Sequence, residues 1–276
     1  MARILITGGS SVVGDYLLPR LDAAGHESTV LSRRAPAGAR WRQLDAARDS
    51  VWSVAPQEVS HLIHLAPLPL LAKVLPGAPA SLRRVVAIGT TSVFTKSASP
   101  STKDRHLVQD QRQAEQGLID FCRERGIGYT LLRPTLVYDG RRDKNVARIA
   151  ALIRKLHFFP VAAPGKGLRQ PLHADDLAAA CVAALGAQGS NSYELAGSER
   201  LSYRAMVERI FLALGQRPRV LPLPLALYRA AIATARMLPR YRGLTPEVAD
   251  RMNQDMVFDY AAAAHDLGFA PREFAP

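Results

Sequence analysis

Short apolar runs alternate along this chain with longer stretches in which apolar residues recur every three or four positions, a pattern that predicts strands and helices in turn. Arg3-Ile4-Leu5-Ile6-Thr7 is a β-branched run too short to form a helical face, and it breaks at Gly8-Gly9. A periodic segment opens at Val12 and runs through Tyr16, Leu17, Leu18 and Leu21 until Gly25 stops it. Ser28 to Leu31 predicts a second strand, Trp41 to Leu44 a third that ends at Asp45, and His61-Leu62-Ile63-His64-Leu65-Ala66 a fourth, buried one. His61 and His64 alternate with apolar residues, which marks a packed strand rather than a ligand pair. Leu68 to Leu75 leaves room only for a short helix before the fifth strand, Arg84 to Ile88. A long helix is predicted from Asp104 to Arg125, with Leu107, Gln111, Ala114, Leu118 and Cys122 on one face, and Tyr129 to Arg133 is the sixth strand.

The remaining third continues the pattern with different spacing. Ala178 to Leu185 predicts a buried helix, Ser192 to Ala196 a strand, and Ser202 the cap of a helix that runs through Leu214 to Gly215. Leu225 to Leu238 is an apolar helix bearing Arg229 and Arg236, and Ala261 to Phe269 closes the chain's pattern. The order of elements predicts an α/β protein: a doubly wound parallel sheet over 1–165, then a smaller substrate lobe over 166–276, from which 170–187 packs back on the first domain. There is no internal repeat.

Composition narrows the class. With 276 residues and 48% hydrophobic content the chain can bury a large core. No apolar run reaches membrane-spanning length and no signal-like segment precedes the first strand, so a cytoplasmic protein is expected. Cys122 and Cys181 sit in apolar helical patterns without metal or redox spacing, which predicts buried thiols and no metal site. The net charge of +12 comes from scattered cations, denser at Arg141, Arg142, Lys144, Arg148, Arg154 and Lys155 and again at Arg229, Arg236, Arg240 and Arg242. No nucleic-acid motif accompanies them. The charge is assigned to solvated helix faces and to attraction of phosphate-bearing ligands, with an anionic membrane surface as the other outlet, above all for the 225–238 helix.

The chemistry concentrates at strand ends. Thr7-Gly8-Gly9-Ser10-Ser11-Val12-Val13-Gly14 is strand, tight turn and helix start, where free amides and the helix dipole favour an anion such as a dinucleotide diphosphate. Thr7, Gly8, Ser10, Ser11, Val12, Val13 and Gly14 are therefore cofactor candidates. Past the second strand, Ser32 stands where an acid would bind the ribose of NAD, and Arg33 and Arg34 follow; this predicts NADP first and NAD second. Asp45 is placed at the adenine, and Leu65, Ala66, Pro67, Thr90 and Pro134 at strand ends along the cofactor. The hydroxyl cluster Thr90-Thr91-Ser92 closes the fifth strand at the edge where ligands bind in such sheets.

Four segments together resemble an extended or atypical short-chain dehydrogenase/reductase of the NAD(P)-dependent epimerase/dehydratase kind: Thr7-Gly8 to Gly14, Thr91-Ser92-Val93-Phe94, Leu132-Arg133-Pro134 with Val137-Tyr138, and Arg169-Gln170-Pro171-Leu172-His173-Ala174-Asp175-Asp176-Leu177-Ala178. The resemblance implies a Rossmann-type fold, a nicotinamide cofactor and a phosphate-bearing, nucleotide-sugar substrate. It implies catalytic Thr90, substrate contacts at Ser92 and a phosphate contact at Arg169, with Asp175 or Asp176 as a helix N-cap. Two departures stand out. Ser11 replaces the middle glycine of the turn, and the family's tyrosine and lysine, one helical turn apart, fall on Leu107 and Gln111. No tyrosine lies between Tyr16 and Tyr129, and a slip of one residue offers only His106 and Asp110. His106, Tyr138 and Lys103 are the alternative proton donors. The competing reading is a cofactor-binding sensor or assembly protein without catalysis, and the compressed segment after Pro67 predicts a monomer or weak dimer.

Overall fold

The computed structural model describes all residues except 37, 57, 98 and 238–246. In chain order, β1 (Arg3–Thr7), α1 (Val12–Ala23), β2 (Glu27–Ser32), β3 (Trp41–Gln43) and β4 (His61–His64) are followed by α2 (Leu71–Val74), β5 (Arg84–Ile88), α3 (Ser92–Thr95), α4 (Thr102–Arg125) and β6 (Gly128–Pro134). Then come β7 (Val137–Tyr138), α5 (Val146–Leu156), β8 (Phe159–Ala162), β9 (Leu168–Arg169), β10 (Leu172–His173), α6 (Ala174–Ala183) and β11 (Asn191–Leu195). The last elements are β12 (Leu201–Ser202), α7 (Tyr203–Ala213), β13 (Val220–Leu223), α8 (Leu225–Ala235), α9 (Glu247–Arg251) and α10 (Ala261–Leu267). Two compact units emerge: Met1–Thr135, Ala174–Leu195 and Asp259–Ala270 form the first, and Leu136–His173, Ala196–Phe258 and Pro271–Pro276 the second. The change of unit falls at Thr135/Leu136, so a boundary at 165 lies inside the second unit.

The first unit is a Rossmann-type doubly wound sheet. Its seven strands run in the order β11-β6-β5-β4-β1-β2-β3, and every pairing between neighbours is parallel. Strands covered on both faces read as continuous apolar runs, which is why Ile4-Leu5-Ile6 and Val85-Val86-Ala87 are buried without alternation. One face packs Leu5, Leu62 and Val85 against Ala114, Leu118 and Cys122 of α4. α1 and α6 pack together, and an ion pair from Arg20 to Asp175 joins them at 2.7 Å. Both cysteines are free and buried, and burial pushes each thiol up to about 12.

Several expected bounds shift for local reasons. α4 begins at Thr102 because Ser101 caps it, its hydroxyl accepting from the amide of Asp104. Val108, not Leu107, joins the buried stripe with Ala114, Leu118 and Cys122, and Leu107 is exposed. The stretch Leu68–Leu75 splits into a 3-10 turn, Leu68–Leu70, and the single turn of α2. α6 starts at Ala174, so Asp175 and Asp176 occupy its first turn instead of capping it. α8 ends at Ala235; Leu238, Arg240 and Arg242 lie outside the described residues.

The second unit gathers α5, α7, β8, β13 and α8 around a core of Ile149, Ile153, Phe159, Ile210, Phe211, Tyr228 and Ile232. Ser202 caps α7 as its position predicts, accepting from the amide of Ala205 at 3.0 Å. Among the described residues, no helix is long and apolar enough to cross a membrane.

Candidate functional site

The strand order reverses between β1 and β4, and the carboxyl ends of these strands open the crevice in which a doubly wound sheet binds its ligand. Thr7 and His64 face each other there in register. The Thr7 hydroxyl lies 2.7 Å from His64 Nδ1, and His64 Nε2 lies 3.2 Å from the Pro67 carbonyl. With Nε2–H donating to the carbonyl, Nδ1 accepts from the hydroxyl, so this chain needs a neutral imidazole. Burial favours that form and lowers the His64 pKa to about 4. The sequence pattern shows His64 only as a packed residue; its signal was that Thr7 and His64 are both polar ends of adjacent apolar strands.

The turn from β1 to α1 is closed by main-chain packing. Gly8 has φ +74°, and a Cβ there would stand 2.5 Å from the Ala66 nitrogen. A Cβ on Gly14 would stand 1.9 Å from the Gly9 carbonyl oxygen, so α1 can approach the turn this closely only without a side chain. Ser11, the residue that departs from the glycine pattern, is the N-cap of α1, and its hydroxyl accepts from the Gly14 amide at 3.3 Å. The Ser11 amide is used by the Gly8 carbonyl at 3.0 Å. Among the described residues, no acceptor is bonded to the amides of Val12 and Val13. Two orphan donors at the start of a twelve-residue helix are suited to a diphosphate, and the residues present fit a dinucleotide.

Around this turn the other predicted cofactor residues fall at the same sheet edge. Ser32, nearly buried, donates to the Ser10 hydroxyl at 2.8 Å and accepts from the Arg34 amide, which ties the end of β2 to the glycine turn. Arg33 and Arg34 are exposed. Asp45 accepts from the Ala47 amide at 3.1 Å, a local turn cap past β3. Leu65 bonds the Thr7 carbonyl through its amide at 2.9 Å, and Ala66 packs on Gly8.

At the end of β5, Thr90 accepts from the Ser92 amide at 3.1 Å, while Thr91 donates to the Pro134 carbonyl at 3.1 Å. Ser92 opens α3. Lys96, just past α3, pairs with Asp104 of α4 at 3.0 Å, both largely shielded. Behind this loop, Arg133 at the end of β6 grips Glu115 of α4 with two bonds, 3.0 and 2.8 Å, and reaches Glu194 of β11 at 3.4 Å. Burial works against the Arg133 charge, but the hydrogen bond and charge of Glu115, then Glu194, outweigh it and raise its pKa. The Phe94 ring lies over this guanidinium at 5.5 Å. On α4, His106 and Lys103 are exposed in the first turns, and the Gln111 Oε1 is buried with no hydrogen-bond partner.

Two predicted site residues belong to the second unit. Tyr138 is 1% exposed in the core of the second unit, where its hydroxyl accepts from the Ala275 amide and its ring meets His173 and Phe274 edge-on. Arg169 is likewise buried in the second unit, its guanidinium donating to the carbonyls of Leu168, Gln254 and Arg251 and lying over the Tyr203 ring. Three main-chain carbonyls thus hold the guanidinium that the resemblance assigned to a phosphate.

A fully parallel sheet with a glycine turn and open helix amides at its switch point defines a nucleotide-binding protein of the Rossmann class. The model of the NAD dependent epimerase/dehydratase family matches residues 4–69 and 71–196, and the chain belongs to that family. It is 25% identical over 200 residues to the uncharacterized protein y4nG of Sinorhizobium fredii (strain NBRC 101917 / NGR234), covering 69% of this chain and 50% of that one. It is 28% identical over 139 residues to NADH dehydrogenase (ubiquinone) 1 alpha subcomplex subunit 9, mitochondrial, of Arabidopsis thaliana, covering 49% and 33%. The chain thus spans half or less of the length of these curated relatives. Among solved structures it is similar to MoeE5 in complex with UDP-glucose and NAD, with a TM-score of 0.76, 18% identity and 99% and 94% coverage. UDP-glucuronic acid 4-epimerase from Bacillus cereus, in complex with UDP-glucuronic acid and NAD, gives a TM-score of 0.72 at 15% identity, with 99% and 95% coverage. At such identities the likeness is one of fold.

Proposed function

We propose that this chain binds a nicotinamide dinucleotide at the β1–α1 turn and acts as an oxidoreductase or epimerase-like enzyme on a phosphate-bearing substrate of the nucleotide-sugar class. The observation that carries this is the pair of orphan amides, Val12 and Val13, beside the Ser11 cap in a turn that only glycine can close. Thr7, Gly8 and Ser10 to Gly14 would hold the diphosphate. Ser32 in place of an acid, with Arg33 and Arg34 exposed next to it, supports NADP before NAD. Asp45 would meet the adenine, and Leu65, Ala66, Pro67, Thr90 and Pro134 would line the nicotinamide half. When bound, that group supplies a hydride acceptor and donor.

This chain's own part is positioning and proton handling. Thr90 Oγ1 already accepts from the Ser92 amide, which leaves its hydroxyl hydrogen to orient a substrate oxygen, and Ser92 is the adjacent substrate contact. By the resemblance Leu107 and Gln111 take the places of the family's tyrosine and lysine, and in this reading the proton passes through another group, with His106 or Lys103 at the head of α4 as donors. This reading goes with a cytoplasmic enzyme that is a monomer or weak dimer, an oligomeric state that light scattering measures.

Calorimetry with NADPH and NADH tests the binding step, and a panel of UDP-sugars tests turnover. NADPH is expected to bind about tenfold tighter than NADH, the effect of one added charge-assisted contact. Absence of binding at millimolar nucleotide overturns the proposal. Tight binding with no turnover on any sugar nucleotide selects the second reading, a catalytically silent nucleotide-binding protein, which the residues at 107 and 111 favour.

A further inference from the structure

The positive charge of this chain is almost entirely segregated. The second unit carries 19 Lys and Arg against 8 Asp and Glu, a net of +11, while the first carries 17 against 16, a net of +1. Within the second unit, Arg154 and Lys155 close α5, and Arg217 and Arg219 lead into β13; all four are exposed, and none makes an ion pair among the described residues. These two stretches are neighbours, because the Phe159 amide donates to the Arg219 carbonyl at 3.0 Å and Leu221 pairs with Pro160 in the β8–β13 ladder.

Apolar side chains that the fold leaves outside lie between these cations. Leu156 and Phe158 follow Lys155, and Leu221 follows Arg219, each more than a third exposed. α8 adds a second stripe: Tyr228 and Ile232 face the core, while Leu227 and Ala230 are exposed on the other side with Arg229 on the flank, and exposed Arg236 and Met237 follow just past its end. Of ten large hydrophobics that are strongly exposed among the described residues, six lie between Leu156 and Met237. Cations alone would attract any polyanion. Leucines and phenylalanine set among them gain free energy only where an apolar phase adjoins an anionic layer, which a bilayer interface offers and a nucleic-acid backbone does not.

We propose that this face of the second unit, made by the end of α5, residues 217–221 and α8, docks on an anionic phospholipid bilayer. Flotation of the full chain with vesicles of phosphatidylcholine, alone or mixed with phosphatidylglycerol, tests it. Binding is expected only to the anionic vesicles and is expected to weaken as salt rises. Arg217→Glu with Arg219→Glu should lower partitioning at least 20-fold, since each interfacial cation contributes a factor of about five. Phe158→Ser with Leu221→Ser, which leaves net charge unchanged, should lower it about tenfold or more; Leu227→Gln provides an independent apolar variant should that pair fold poorly. Failure to bind anionic vesicles overturns the proposal. So does vesicle binding that the apolar variants leave intact, or retention on single-stranded DNA in place of vesicles, which would make the face a nucleic-acid surface. A wild-type dimer by light scattering that the apolar variants dissociate, without vesicle binding, would assign the face to a second copy instead.

Discussion

The β1–α1 turn and the β5–α4 segment belong to the same sheet edge but are specified by different means. In the turn, nearly every constraint is main chain against main chain: Gly8 against Ala66, Gly14 against the Gly9 carbonyl, the Ser11 amide on the Gly8 carbonyl. In the β5–α4 segment the corresponding work falls to side chains, as in the Arg133 grip on Glu115 and the Lys96–Asp104 pair, and the proposed function puts Leu107 and Gln111 at the two positions that bear most on proton transfer. A site built from backbone shape survives sequence change at most of its positions. A site built from two functional groups is lost with two substitutions, while the helix that displayed them persists.

The contrast can be sharpened most by introducing the two groups at the proposed positions. Leu107→Tyr with Gln111→Lys should raise turnover on a responsive sugar nucleotide by about 10²–10⁴-fold, the usual contribution of a positioned general acid; an unchanged rate with nucleotide still bound would show that chemistry at this edge never depended on those positions. Gly14→Ala attacks the other side of the contrast. Its Cβ would stand 1.9 Å from the Gly9 oxygen, so α1 must be displaced, and calorimetry should show nucleotide affinity down at least ~100-fold with a stability loss of about 1–3 kcal/mol. A Gly14→Ala protein that binds like wild type would break the claim that the turn is shape-limited.

The Thr7–His64–Pro67 chain predicts a pH effect of comparable size. The folded state depresses the His64 pKa from 6.5 to about 4, so the unfolded chain takes up this proton first. The stability it contributes is complete above pH 6.5 and is lost as pH falls towards 4, about 3 kcal/mol in all. Denaturant titrations of His64→Asn across that window should show a flatter slope than wild type; equal slopes would place the titration elsewhere. The smallest effect belongs to Gly117, inside α4, where an added Cβ meets nothing within 4 Å. Gly117→Ala should stabilise the protein by about 0.5–1 kcal/mol without altering nucleotide affinity, as thermal unfolding would show.

Much of the first unit was legible in the residues themselves. β5 occupies Arg84–Ile88 as its apolar run predicts, and Gly25 and Gly126 stop their helices in the left-handed conformation, as Gly215 does in the second unit. Legibility fails where information is non-local. The two-residue strands β7, β9, β10 and β12 have no pattern of their own and form only by pairing with distant partners. Leu107 and Val108 are both apolar and adjacent, so periodicity alone permits either register of the α4 stripe, and packing against the sheet selects Val108. Tyr138 and Arg169 stand in a suggestive sequence context, and nothing in that context shows that both are buried with main-chain partners. The buried grip of Arg133 on Glu115 joins residues from β6 and α4 whose chemistry gives no hint, in sequence, that they meet.

The position of β11 at the rim of the sheet has a bearing on synthesis. Residues 191–195 complete the hydrogen bonding of β6, and Asp266 of α10 then bonds the Tyr193 hydroxyl at 2.8 Å. A nascent chain therefore emerges with the free edge of β6 unpaired while some sixty further residues are translated, and unpaired strand edges invite association with other chains. A fragment cut after β6 would keep that open edge permanently, so fragments ending before 195 should aggregate where longer ones stay monodisperse.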